Sequence, residues 1–195
     1  MTILNTDDSL LLIIDVQEKL LNAVFNKELC SKKAEIIAKA ANILGIPVIV
    51  TEQYPKGLGN TVEPLKSKLG DNVQYFEKTA FSALDNQDVL NALKKANKKQ
   101  VVILGIETHI CVSQTTAALI KSGYEVNVIK DACGSRAETE YIAGLERMKD
   151  NGAHILTTEI ALFELLKGAK HPNFKDIQAP VSYTHLRAHE TDSYL

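Results

Sequence analysis

Cysteine is scarce in this sequence. Cys30, Cys111 and Cys133 are an odd number of thiols with no CxxC spacing. They do not build a disulfide framework; they fit reduced thiols, and a cytoplasmic setting is expected. Charge of one sign is not in excess either. The 22 Lys and Arg stand against 24 Asp and Glu, a formal net charge of −2. The basic residues are scattered and leave no nucleic-acid footprint, so no nucleic acid partner is expected. No apolar run approaches the ~20 residues of a membrane-crossing helix, so no membrane partner is expected. Met1–Asp8 lacks a positive stretch and a cleavage site, and no secretory leader is expected. Internal repeats, low-complexity tracts and interdomain linkers are absent up to Ala179. What is present is a chain of 195 residues, 45% hydrophobic and 24% charged, enough for one substantial core. One domain over 1–179 is expected.

Six short apolar runs punctuate that domain: Leu10–Ile14, Pro47–Val50, Val73–Phe76, Val101–Leu104, Val126–Ile129 and Ala153–Leu156. They are continuous rather than alternating, the pattern of strands buried on both faces of a parallel sheet. Helical patterns lie between them over Glu28–Leu44, Asp85–Ala96, Ser113–Lys121 and Arg136–Asp150. Gly45, Gly123 and Gly152 follow three of these as stop signals. The alternation predicts an α/β fold with three αβα layers, a doubly wound, Rossmann-like parallel sheet of six strands. The longest irregular stretch is Thr51–Asn60, a loop placed where function gathers.

The pattern breaks at the end. Residues 180–195 have no apolar period, and Val181–Leu195 resembles a frame-translated sequencing-adapter peptide. The segment is expected to be non-native or a disordered tail, outside fold reasoning. His185 and His189 have the spacing of a shared helix face, but no third ligand accompanies them, and no metal is expected.

In an open α/β sheet ligands bind beyond the carboxyl ends of the strands. Asp15 follows the first run, Lys78 the third and Cys111 the fourth. Cys111 sits between a strand pattern and a helix pattern, where unpaired N–H groups and the helix dipole favour the thiolate. A carboxylate can take the thiol proton, and a nearby ammonium group stabilises thiolate and carboxylate together. Backbone N–H groups around Glu107 and Cys111 suit a developing oxyanion, worth ~3–4 kcal/mol per donor. Each residue alone has a blander reading: Asp15 as a helix cap, Lys78 as a solvated surface lysine, Cys111 as a small buried residue. Cys133, also after a strand, competes with Cys111 on spacing. His109 stands two residues before Cys111 and is read as a pocket-rim residue.

Three motifs carry a resemblance. Leu12-Ile13-Ile14-Asp15-Val16-Gln17, then Glu77-Lys78-Thr79-Ala80-Phe81-Ser82, then Gly105-Ile106-Glu107-Thr108-His109-Ile110-Cys111-Val112 stand in the order and at the separations of the isochorismatase-like cysteine hydrolases. The resemblance runs over nearly all of Leu10–Ala179. It implies a catalytic triad of Cys111 as nucleophile, Asp15 as base and Lys78 as third member. It also implies a cis peptide at Ile106–Glu107, with oxyanion donors from Glu107 and Cys111, and a homo-oligomer. The Thr51–Gly59 loop lacks the histidines of the metal-binding nicotinamidases, so neither metal nor other cofactor is expected. Isochorismatases that cleave a vinyl ether typically lack the cysteine. The loop, with Asp131–Arg136 and His171–Lys175, looks most like the isochorismatase domain-containing branch. The expectation is therefore a metal-independent cysteine hydrolase of a small amide or related C–N bond, with a small-molecule substrate. Gln17, Tyr54, Phe81 and His109 are the candidate pocket wall. The alternatives are a vinyl-ether hydrolase using Asp15 and Lys78, and a catalytically silent binding or assembly module.

Overall fold

The computed structural model describes residues 3–71 and 73–180; the expected tail lies outside the described residues from position 181 onward. The six apolar runs form β1 (Ser9–Ile14), β2 (Val48–Gln53), β3 (Val73–Lys78), β4 (Gln100–Ile106), β5 (Glu125–Gly134) and β6 (His154–Leu156). All pairings between them are parallel. The strand order is β3-β2-β1-β4-β5-β6, a doubly wound, Rossmann-like sheet. Every residue of β1 and β4 is buried, which is why their sequences run apolar without alternation. The edge strand β3 is exposed or half-buried along its length and buries only its last residue, Lys78.

The helices are α1 (Glu18–Ala23), α2 (Lys27–Ile43), two short turns α3 (Pro55–Leu58) and α4 (Glu63–Lys66), α5 (Gln87–Ala96), α6 (Ser113–Lys121), α7 (Glu138–Asp150) and α8 (Thr158–Leu166). The chain winds from β1 out to β3 and from β4 out to β6; in such folds right-handed crossovers carry the connecting helices onto both faces of the sheet. Ile37, Ala40 and Ala41 of α2 meet Ala161, Leu162 and Leu165 of α8 over Leu11 and Val102. The order reverses between β1 and β4, so their carboxyl ends flank the crevice where such folds bind ligands.

Three local features aim residues at that crevice. Gly105 has φ +133°, and a Cβ there would collide with the Ile14 carbonyl oxygen, so only glycine lets β4 run this close to β1. The β4–β5 register shifts between Ile103 and Gly105. Asn86 caps α5, its side-chain oxygen accepting from the Asp88 N–H at 2.8 Å, while its amide donates to the Glu77 carbonyl at 2.8 Å. The cap thus ties the start of α5 to the end of β3, next to Lys78. Asn86→Ala is expected to cost about 1–2 kcal/mol, read as a lower denaturation midpoint.

Two sequence expectations shift. Thr51–Gln53 are the end of β2 rather than loop. The residues read as following the fifth run, Lys130–Gly134, continue β5.

Candidate active site

The chain leaves β1 through an unusual residue. Asp15 has φ +51°, in the left-handed region that Asp tolerates better than most residues. Its side chain is wholly buried. One carboxylate oxygen accepts from the Thr51 hydroxyl at 2.7 Å and the other from the Lys78 ammonium at 2.6 Å. Lys78 is also buried, with a side-chain exposure of 1%. Its ammonium meets three further oxygens: Gln53 Oε1 at 2.7 Å, the Ala80 carbonyl at 3.2 Å and the Phe81 carbonyl at 3.3 Å. A buried charge needs such partners to offset its lost hydration.

Cys111 arrives from the far side of β1. The peptide between Ile106 and Glu107 is cis. A π-helical turn, Thr108–Val112, then leads into α6. The Glu107 carbonyl accepts from both Ile110 and Val112 N–H, at 3.1 and 3.2 Å, fixing the turn that carries Cys111. The sulfur lies beside both members of the ion pair. Burial pushes the Cys111 thiol up to about 12; the Asp15 charge adds to the rise and the Lys78 charge opposes it. The helix-terminus argument alone favours the thiolate; here desolvation opposes it and favours the thiol.

Around this cluster the other candidates are spread. Gln17 is buried and spends its amide on backbone, donating to the Gln53 and Gly59 carbonyls at 3.0 and 2.6 Å and accepting from the Gln53 N–H at 2.6 Å. Tyr54 and Phe81 are about half exposed. A cavity of about 440 Å³ is lined by Tyr54, Lys56, Lys78, Thr79 and Asp85 among others; it reaches Lys78 but not Asp15 or Cys111. His109 Nδ1 lies 3.0 Å from the Ser135 hydroxyl and its Nε2 lies 3.7 Å from Glu140. The Glu107 carboxylate accepts from the backbone and side chain of Arg136, at 3.2 and 2.8 Å.

A family model described as the isochorismatase domain matches residues 9–160. The chain belongs to the isochorismatase family. Among curated relatives, isochorismatase family protein 1A of Dictyostelium discoideum is 44% identical over 178 residues, 89% of this chain and 86% of that one. Isochorismatase domain-containing protein 2 of Danio rerio is 39% identical over 176 residues, 90% and 87% of the two chains. The likeness expected to the isochorismatase domain-containing branch is thereby met. Among solved structures, one described as the MAR1 ribonuclease of Caenorhabditis elegans has a TM-score of 0.88 at 38% identity and covers 92% of each chain. YcaC from Pseudomonas aeruginosa, described with hexane-2,5-diol and covalent acrylamide, has a TM-score of 0.88 at 26% identity and covers 97% of each.

In this isochorismatase-family chain two residues at the ion pair escape a reading of motifs: Thr51 and Gln53. Both lie in the stretch flagged as loop; as residues i and i+2 of β2 they share one face of the strand, the face that meets Asp15 and Lys78. Cys133 is paired inside β5 opposite Gly105 and is fully buried, with its thiol raised by burial. Cys30 is likewise buried, against the Ala132 carbonyl at 3.4 Å. Among the described residues, no group of three His, Cys, Asp or Glu side chains is placed to hold a metal ion, and no helix is long and apolar enough to cross a membrane.

Proposed function

We propose that this chain is a metal-independent cysteine hydrolase acting on a small amide or related C–N bond. The observation that carries the reading is the meeting of Asp15, Lys78 and Cys111, from the ends of three different strands, in one buried cluster. A thiol pushed up by burial and set beside the Asp15 carboxylate is suited to lose its proton only as it attacks. As the Cys111 sulfur adds to the substrate carbonyl carbon, its proton passes to Asp15. The oxyanion so formed is held by the N–H groups of Glu107 and Cys111. Asp15 gives the proton to the departing nitrogen as the C–N bond breaks, leaving a thioester. Water, deprotonated by Asp15, adds to the thioester; the acid leaves and the sulfur regains its proton. Lys78 keeps the carboxylate oriented and offsets its charge.

The covalent acrylamide on the YcaC relative supports the reading, since conjugate addition to acrylamide is a reaction of an activated thiol. A ribonuclease reading rests on the description of the C. elegans relative. It is tested by incubating the protein with single- and double-stranded RNA, where cleavage that survives loss of the thiol would favour it.

The direct test of the hydrolase reading uses iodoacetamide, tandem mass spectrometry and a panel of primary amides. Cys111 is expected to be labelled ahead of Cys30 and Cys133, and at least one amide to release ammonia. Faster labelling of Cys133 contradicts the assignment of the nucleophile. An unreactive Cys111 with no turnover favours a silent module of the same fold.

A further inference from the structure

We propose that Gln53 sets how reactive the Cys111 thiol is, acting through Lys78 as a positioning residue; the inference rests on Cys111 being the nucleophile. An ammonium group has three N–H bonds. Four oxygens lie within hydrogen-bond reach of Lys78, from Asp15, Gln53, Ala80 and Phe81. The sulfur of Cys111, which feels the same ammonium, is a further claimant for it. The acceptors are therefore in competition, and two of them are short: Asp15 at 2.6 Å and Gln53 at 2.7 Å.

Asp15 is needed as an ion-pair partner, but Gln53 is a neutral acceptor with no such role. Its orientation is set on all sides. The side-chain nitrogen donates to the Thr79 carbonyl at 2.8 Å, which turns the oxygen toward Lys78. Its backbone N–H and carbonyl are clamped by the Gln17 amide. The effect is an oxygen that always holds one ammonium N–H away from the sulfur. Because it carries no charge, it does so without making the buried cluster negative. The acceptor lowers the share of Lys78 that stabilises a thiolate, and so helps keep Cys111 protonated until substrate arrives.

The other charged or titratable groups around this cluster are Tyr54 and Lys56 beyond β2, Glu77 and Asp85 on either side of the β3 end, and Glu107, His109, Arg136 and Glu140 on the Cys111 side. The charges that act on the thiol are those of Asp15, which raises it, and Lys78, which lowers it.

The test measures the rate of Cys111 alkylation by iodoacetamide, from about pH 7 to 10, in the full chain and in two variants. Gln53→Glu puts a second carboxylate on the ammonium and makes the cluster net negative. Its rate profile is expected to move about one unit up in pH, a rate about tenfold lower at fixed pH. Gln53→Met removes the acceptor without adding charge and releases an N–H toward the sulfur. Its rate is expected to rise about threefold or more. A purely structural role moves both variants the same way, so opposite signs support the proposal. Rates that fall together, or that both stay unchanged, overturn it. If the Glu variant fails to fold, the Met variant decides alone: no acceleration overturns the role of Gln53. A wild-type Cys111 no faster than Cys30 takes down both this inference and the nucleophile assignment. Preferential wild-type labelling without the opposite responses takes down Gln53 only.

Discussion

Cys111→Ala is expected to abolish amide turnover, by about 10³-fold or more, while leaving the fold in place. The alanine removes the sulfur on which the thioester would form, so remaining rate must come from water in the same pocket. Structural damage should be small. The residue is 6% exposed and sits in a turn held by the Glu107 carbonyl, not by the thiol. Loss of one sulfur from such a site costs on the order of 1 kcal/mol. Ammonia release and denaturant unfolding on the same sample separate the two effects. The substitution also divides the enzyme readings. A vinyl-ether hydrolase needs Asp15 and Lys78 but no sulfur, so undiminished cleavage of isochorismate by the alanine variant would replace the cysteine mechanism with that one.

The upward shift of the Cys111 thiol follows from the order of the forces on it. Burial is the largest and raises the thiol; Asp15 adds to it, and Lys78 subtracts. A helix-terminal position favours the thiolate by a modest, local amount, whereas taking a charge out of water is a property of the whole surround. Motif position shows the first effect and not the second. That is why the sequence reads Cys111 as a ready thiolate, whereas in the structure burial and the neighbouring Asp15 push its thiol up.

The same division explains what else is legible. Continuous apolar runs at β1 and β4 reflect burial on both faces, which composition records directly, and so the parallel sheet is readable. Asp15, Lys78 and Cys111 are readable as strand-end residues because the fold class fixes which ends share a crevice. Thr51 and Gln53 are not, since their importance lies in pairing with side chains from β1 and β3. That register is set by the strand contacts Thr51 to Ile14 and Gln53 to Lys78. Cys133 competes with Cys111 only while β5 is taken to stop early; extending β5 to Gly134 buries it. Helix α8 goes unread because its apolar residues crowd together with little stripe, though the Thr157 side chain capping the Ile160 N–H was a usable start signal.

Lys78→Met should be the most destabilising of the charge-removing substitutions at this site, by about 3–5 kcal/mol. The methionine replaces the stem well enough, so packing contributes little to the loss. What it leaves is the Asp15 carboxylate, wholly buried, with the Thr51 hydroxyl and the Cys111 thiol as its remaining side-chain donors. It also strands the Gln53 oxygen and the Ala80 and Phe81 carbonyls that faced the ammonium. A denaturation midpoint near that of wild type would mean that the pair is solvated in solution. Asp15→Asn combined with Lys78→Met separates charge from packing. With no carboxylate left unpaired, the double variant should be more stable than Lys78→Met alone, although neither should turn over substrate. If the double variant is instead as unstable as the sum of its parts, the Lys78 stem and its neighbours carry the stability. The 2.6 Å ion pair would then serve the chemistry rather than the fold.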